Sequence, residues 1–171
     1  MTHNQQPKNS QTANILKRDY QKALNTALRI LTGRDHSKYE LIQKLKQRGF
    51  KTEDIEKAVS ECVRFDYIND ERMAPVYIRQ LIRKGYGLKR IRHELNKKGL
   101  KGHRIQNFLS EIVSDLEEQE GAERVLEKNI KRFERECDLK KRREKIYRFL
   151  YARGFSQDTI RKLAKKYELS T

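Results

Sequence analysis

The stretch Leu41-Ile-Gln-Lys-Leu45-Lys-Gln-Arg48-Gly49-Phe50, followed by Ile55, decides the fold, because the chain carries it three times. It returns as Ile91-Arg-His-Glu-Leu95-Asn-Lys-Lys98-Gly99-Leu100 with Ile105. It returns again as Ile146-Tyr-Arg-Phe-Leu150-Tyr-Ala-Arg153-Gly154-Phe155 with Ile160, the spacings being 50 and then 55 residues. Each copy places apolar residues four apart on one helical face, then a cation, a glycine and a large apolar residue. That order predicts a helix closed by a left-handed glycine with an apolar residue just beyond it. Glycine suits the position because it has no Cβ to clash at positive φ.

The flanks repeat as well. Leu24, Leu28 and Leu31 stand 50 residues before Ala74, Ile78 and Leu81, and Phe133 stands 55 after Ile78, which predicts a helix ahead of each motif. A shorter helix is predicted after each motif, from Ile55, Ala58 and Val59, from Ile105, Phe108, Leu109 and Ile112, and from Ile160, Leu163 and Ala164. Ser37-Lys-Tyr-Glu40 reads as a capping box, and Thr52 and Ser156 as N-caps. Pro75 leaves the first helix of the second copy either starting near Ala74 or kinked. The expected fold is therefore all-α: three tandem three-helix repeats stacked into an elongated, curved array. Its expected borders are a loose tail over 1–14 and repeats over 15–66, 67–117 and 118–171. A unit this small buries too little of its own surface to stand alone, so neighbours should stack.

Composition excludes several classes. The 171 residues hold 40 Lys and Arg against 24 Asp and Glu, a net charge of +16. Leu, Ile, Val and Phe together are still frequent enough for a packed core. No apolar run exceeds the four residues 149–152, far short of the ~20 that a spanning helix needs. The polar residues 1–14 contain no signal-like apolar stretch. Cys62 and Cys137 stand far apart, without a Cys-x-x-Cys or a His at ligand spacing, and read as two reduced, half-buried thiols of a cytoplasmic protein.

The charge is blocked along the chain. Residues 79–104 hold ten cations against the single acid Glu94, whereas 111–123 holds six acids and no cation. On the middle helix of copy two, Leu88, Ile91 and Leu95 form the buried stripe, leaving Lys89, Arg92 and Asn96 on an exposed face. Arg79, Arg83 and Lys84, with the loop Gly85-Tyr-Gly87, extend that face, and Arg90 and Lys98 adjoin it. Backbone that can be approached closely beside Arg and Tyr suits a polyanion or an acidic protein surface. Like charges so crowded repel one another, and a bound partner would relieve them. Arg142, Arg143 and Arg148 form a second candidate patch.

Nothing in the sequence reads as an enzyme. His36, His93 and His103 have no partner at metal-ligand spacing, no phosphate-binding loop is present, and surface or capping roles are expected for the histidines. No catalytic residue, cofactor or metal is expected. Tyr20, Tyr39, Tyr67, Tyr77 and Tyr147 are expected in core or junction packing rather than as base-stacking platforms.

The run Tyr67-Ile-Asn-Asp-Glu-Arg-Met-Ala74, then Lys84-Gly-Tyr-Gly87, then Arg90-Ile-Arg92-His-Glu-Leu95, preceded by Ser37-x-x-Glu40-Leu41-x-x-x-Leu45-x-x-x-Gly49-Phe50, resembles the RecX family of bacterial regulatory proteins over about residues 22–168. Asn69 and Met73 depart from its junction motif, which more usually carries an acid and a Phe. The resemblance implies an all-α protein of tandem three-helix repeats. It also implies a cytoplasmic negative regulator of recombination and the SOS response, which binds the RecA nucleoprotein filament in its groove and inhibits ATP hydrolysis, strand exchange and co-protease activity. The partner so implied is RecA with its filament on single-stranded DNA, direct DNA contact being left open, with no membrane and a monomeric regulator. The cations expected at that contact are Arg79, Arg83, Lys84, Lys89, Arg90, Arg92, Lys98, Arg142, Arg143 and Arg148. The alternative is a standalone helix-turn-helix-like reader of duplex DNA. Against it, the exposed middle-helix positions carry Lys and Arg, with few base-reading side chains beyond Asn96 and Gln43.

Overall fold

A computed structural model describes residues 8–168. Among them are ten helices and no strand: α1 (Lys8–Leu31), α2 (Lys38–Lys46), α3 (Thr52–Arg64), α4 (Asp70–Arg83), α5 (Leu88–Lys97), α6 (His103–Ile112), α7 (Asp115–Glu127), α8 (Ile130–Glu134), α9 (Leu139–Ala152) and α10 (Gln157–Glu168). Helix α1 takes in residues 8–14 of the stretch expected to be a loose tail, and 1–7 lie outside the described residues. The chain divides into two compact units, Met1–Met73 and Ala74–Thr171, the division falling inside α4 beside Pro75. That helix is already running at Asp70, and Asn69 caps it by accepting the Arg72 amide on Oδ1 at 2.9 Å.

The first unit packs α1, α2 and α3 around Ala27, Leu41, Leu45, Ile55, Val59 and Cys62, with Leu24, Leu28 and Leu31 at the margin of that core. The capping box forms: Ser37 Oγ accepts the Glu40 amide and Glu40 Oε2 accepts the Ser37 amide, both at 3.1 Å. Thr52, by contrast, is the first residue of α3 rather than its cap, which is Lys51. Just before the box, His36 is buried, not on the surface, and its Nδ1 lies 2.8 Å from the Arg34 carbonyl, the ring N–H donating. Burial holds this imidazole below its ordinary range. The thiols are not half-buried: Cys62 is fully buried, with its pKa raised by that burial, and Cys137 is exposed, both being free.

Helix ends follow one rule. Gly49, Gly99 and Gly154 take φ of 80°, 72° and 84°. The next amide in each case donates five residues back: Phe50 to Leu45, Leu100 to Leu95 and Phe155 to Leu150, at 3.4, 2.9 and 3.3 Å. Asp66 fills the same position after α3 with φ of 56°, a conformation that Asp tolerates better than most residues. Its carboxylate accepts from the Asn69 side chain and pairs with Arg72, contacts that hold it below the usual carboxylate range.

The second unit contains two cores. One, from α4, α5 and α6, buries Ala74, Ile78, Leu81, Ile91, Leu95, Leu100, Ile105 and Leu109. The other, from α7 to α10, buries Ala122, Leu126, Phe133, Ile146, Leu150, Phe155, Ile160 and Leu163. The third copy departs from expectation here. Ala122 and Leu126 supply its first helix, 48 residues after Ala74 and Ile78, and α7 begins at Asp115, ahead of the expected border at 117/118. Phe133 sits instead on the extra short helix α8. Asn129 interrupts the helical run and donates its side-chain N–H to the Val125 carbonyl at 2.8 Å, while Asp138 restarts it by capping α9.

The two cores are clasped through backbone. The Gly87 amide donates to the Arg153 carbonyl at 2.9 Å and the Lys89 amide to the Gly154 carbonyl at 3.1 Å. The Leu88 amide donates to Glu118 Oε1 at 3.4 Å, and Glu118 Oε2 accepts the Thr159 hydroxyl at 3.1 Å. In return Arg153 Nη1 donates to the Lys84 carbonyl at 3.2 Å. Such proximity demands glycine on both sides. A Cβ on Gly87 would lie 2.5 Å from the Phe155 nitrogen, and one on Gly154 would strike the Arg90 backbone.

Two outcomes are expected. Gly49, with open space around a would-be Cβ, should lose only the left-handed strain on Gly49→Ala, about 1–2 kcal/mol. Gly154→Ala should lose a further ~1–3 kcal/mol from overpacking, which urea unfolding of the two variants resolves. Equal losses would mean that the clasp contributes nothing. Separately, an imidazole that binds its proton more weakly folded than unfolded gives stability that is complete above its unfolded value, about 6.5. That stability is lost as pH falls through this value. Wild type should therefore weaken relative to His36→Gln as pH is taken from about 8 to about 5, and parallel pH curves would refute the assignment.

Candidate functional site

Helix α5 begins at Leu88, and its N-cap, Gly87, has no side chain with which to cap it. Its first amides are satisfied instead by Arg153, Gly154 and Glu118 of the third repeat. The loop Lys84-Gly-Tyr-Gly87 is thus not open backbone for a polyanion, as its composition suggested, because the turn 153–155 already occupies it. What the clasp does is hold the end of α4 and the start of α5 in one fixed arrangement.

Four of the expected cations lie at that clamped loop: Arg83 just before it, Lys84 at its first position, Lys89 and Arg92 after it. All four are exposed, and none forms an ion pair among the described residues. Arg83 and Lys84 also lie at the C-terminal end of α4, where the helix dipole favours positive charge. Asn96 shares the exposed face of α5 with Lys89 and Arg92, while Ile91 and Leu95 are fully buried and Leu88 partly so.

Three more are engaged with repeat two itself. The Arg79 guanidinium lies 5.5 Å from the Phe108 ring centre and the Lys98 ammonium 5.0 Å from that of Tyr77, both rings packing on the core. Arg90 pairs with Glu94 at 2.9 Å and rests over Tyr86, with its Nε buried and without a hydrogen-bond partner. These cations are partly spent on cation–π and ionic contacts, so their share in any surface is smaller than their charge suggests.

The second patch separates in the same way. Arg142 turns inward, donating from Nε to the Glu136 carbonyl at 2.9 Å and from Nη2 to the Glu134 carbonyl at 3.4 Å, and so ties α9 to the end of α8. Lys145 pairs with Glu136 at 2.6 Å, and that hydrogen bond keeps the Glu136 carboxyl below its usual range. Arg143 and Arg148 are exposed, Arg148 lying 4.0 Å from Glu144.

The sequence reading missed a feature of α9. Tyr147 and Tyr151 are exposed, by 38% and 52%, and stack on each other with ring centres 5.9 Å apart and planes 11° from parallel. The expectation that Tyr147 packs in a core or junction is overturned, because Phe149 takes that role against Phe133 at 5.2 Å. Tyr39 and Tyr67 are likewise exposed, while Tyr20 and Tyr77 are half-buried. The signal for the pair was available: each tyrosine directly follows a core residue, Ile146 or Leu150, and so falls about 100° around the helix from the buried stripe. His93 and His103 are exposed. No group of three His, Cys, Asp or Glu able to hold a metal occurs among the described residues, and none of their helices is long and apolar enough to cross a membrane.

Family models match the chain in three places: RecX, first three-helix domain, over 23–62; RecX, second three-helix domain, over 69–109; and RecX, third three-helix domain, over 117–163. Regulatory protein RecX of Legionella pneumophila (strain Corby) is 40% identical over 150 residues, which cover 87% of this chain and 97% of the relative. Regulatory protein RecX of Vibrio vulnificus (strain CMCP6) is 38% identical over 141 residues, covering 80% and 87%. The crystal structure of RecX from Lactobacillus salivarius matches with a TM-score of 0.74 at 25% identity, over 90% of this chain and 99% of that one.

The two kinds of cation should separate on truncation. Arg142→Ala, which removes charged donors from two carbonyls, is expected to cost about 1–2 kcal/mol. Arg92→Ala is expected to stay within about 0.5 kcal/mol of wild type. Thermal unfolding of both variants checks this, and equal values would erase the distinction between structural and free cations.

Proposed function

Since this chain belongs to the RecX family of regulatory proteins, we propose that it is a negative regulator of the RecA recombinase. In this reading it binds the groove of the RecA nucleoprotein filament and slows ATP hydrolysis, strand exchange and co-protease activity, damping recombination and the SOS response in the bacterial cytoplasm. It acts as a monomer by binding, with no chemistry and no cofactor of its own.

One observation carries the reading: Arg83, Lys84, Lys89 and Arg92 are exposed and have no ion-pair partner among the described residues, on backbone that the third repeat holds in place. The frame itself loses little freedom on binding, and the cost of ordering is confined to the long side chains it carries. Their charges also attract a polyanionic filament over a distance set by the ionic strength. Such a frame inhibits only if it binds one filament geometry better than the one that strand exchange requires, since a ligand shifts an equilibrium by its differential affinity alone.

RecA ATP turnover on single-stranded DNA, with and without the chain, tests the proposal. Wild type should slow turnover, and the variant Arg83→Glu, Lys84→Glu, Lys89→Glu, Arg92→Glu should need at least about tenfold more protein for the same effect, at roughly 1.4 kcal/mol per tenfold, while keeping its helicity. Inhibition undiminished by the four reversals would remove the patch from the mechanism. No inhibition by wild type, together with sequence-selective binding of duplex, would favour the standalone DNA reader.

A further inference from the structure

We propose that the outer face of α9 is a stacking site for single-stranded nucleic acid, with Tyr147 and Tyr151 receiving bases and the cations around them receiving phosphates. The proposal assigns a ligand to one part of the filament-binding surface and in that sense rests on the reading above, though its test does not.

The rings are the starting point. Two neighbouring tyrosines, 38% and 52% exposed, lie nearly parallel with centres 5.9 Å apart. That separation is about one helical turn, the rise between positions i and i+4. The pair spans no part of the repeat's core, which is completed by Phe133, Phe149 and Phe155. Leaving two large rings exposed forgoes the burial that aromatic side chains ordinarily obtain. A preformed aromatic stack offers unstacked bases a surface that every base can use, whatever its sequence.

Charge selects the ligand. Helix α9 holds six cations against the single acid Glu144; Arg142 and Lys145 are engaged with residues 134–136 and Lys141 lies 3.8 Å from Asp138, and those beside the rings are Lys140, Arg143 and Arg148. Lys140 lies two turns before Tyr147 on the same face, and Arg143 and Arg148 flank the rings on either side. Glu144 shares the face and is itself exposed, with the Arg148 guanidinium 4.0 Å from its carboxylate and the Arg148 Nε donating to the Glu144 carbonyl at 3.3 Å, so one acid stands against Lys140, Arg143 and Arg148 there. The face is therefore net positive and aromatic at once. An acidic protein surface would satisfy the cations and leave the parallel rings without a counterpart. Duplex DNA would offer phosphates, but its bases are already stacked on one another. A single strand offers both phosphates and free base faces.

The experiment uses the full chain with a labelled oligothymidylate of about 20 nucleotides, a duplex of equal length, and three variants: Tyr147→Phe with Tyr151→Phe, Tyr147→Ala with Tyr151→Ala, and Lys140→Glu. Wild type should bind the single strand more tightly than the duplex, and binding should quench its tyrosine emission. The Phe pair should keep the affinity and lose the quenching that comes from α9. The Ala pair should lose about tenfold or more in affinity, with the salt dependence of binding unchanged. Lys140→Glu should instead flatten that dependence, by roughly 0.7 in log–log slope for each phosphate that is no longer neutralised. Single-strand affinity unaffected in the Ala pair would overturn the stacking site. So would its loss of filament inhibition with oligonucleotide binding intact, since the face would then contact protein. Absence of single-strand binding alongside intact inhibition of RecA would refute this site and leave the regulatory reading standing. Binding without inhibition would do the reverse.

Discussion

Two backbones in the second unit come so close that neither can carry a Cβ at the point of contact. Gly87 meets the turn 153–155, and Gly154 meets Arg90. Hydrogen bonds from Gly87 and Lys89 to the Arg153 and Gly154 carbonyls follow directly from that approach. Here a helix end closed by glycine becomes a docking surface: the left-handed turn that finishes α9 presents its carbonyls to the unsatisfied amides that begin α5. One residue thus satisfies two constraints, a positive φ and a close approach. Gly49, which satisfies only the first, has nothing near it.

The consequence for the surface is a sorting of charge. A net charge of +16 says little about where a partner binds, because much of it is used inside the protein. Arg142 ties α9 to α8, Arg153 joins the clasp, Arg90 pairs with Glu94, and Lys145 pairs with Glu136. Those side chains hold the frame. The cations left over, at the end of α4 and the start of α5, carry the proposed binding. Arg and Lys are equally represented among these four, which fits attraction by point charge rather than bidentate recognition of particular groups.

Much of this was legible in the sequence, for a physical reason. The helix motif and its closing glycine are set by contacts within ten residues, so spacing alone revealed Leu41, Ile91 and Ile146 as equivalents and gave the left-handed glycines. The register of the third copy was misread at Phe133 because α8 adds a core residue on an inserted turn, and an apolar residue of the right size looked like a homologous one. The clasp was illegible because Glu118, Arg153 and Gly154 stand 30 or more residues from the amides they satisfy, and no local pattern encodes that. His36 misled in the same way, since burial depends on what packs over a residue. Tyr147 and Tyr151 were visible as an i, i+4 pair, but aromatic content is core more often than surface, and the general expectation outweighed the particular phase.

The clasp also decides what kind of anion recognition the basic surface can perform. An open helix N-terminus binds phosphate through backbone amides reinforced by the helix dipole, and α5 begins amid cations where such a site would be useful. Its amides are already bound to Arg153, Gly154 and the Glu118 carboxylate, and those of α9 are capped by Asp138. The Gly87, Leu88 and Lys89 amides, like those of Lys140 and Lys141, are thus already engaged, so at these two termini attraction to a polyanion rests chiefly on flexible side chains on a rigid frame. Side-chain charges at an exposed surface are screened by salt and indifferent to sequence. Discrimination among polyanions must therefore come from a group that responds to something other than charge. On α9 the two stacked rings are such a group, beside cations that cannot by themselves tell one phosphate backbone from another.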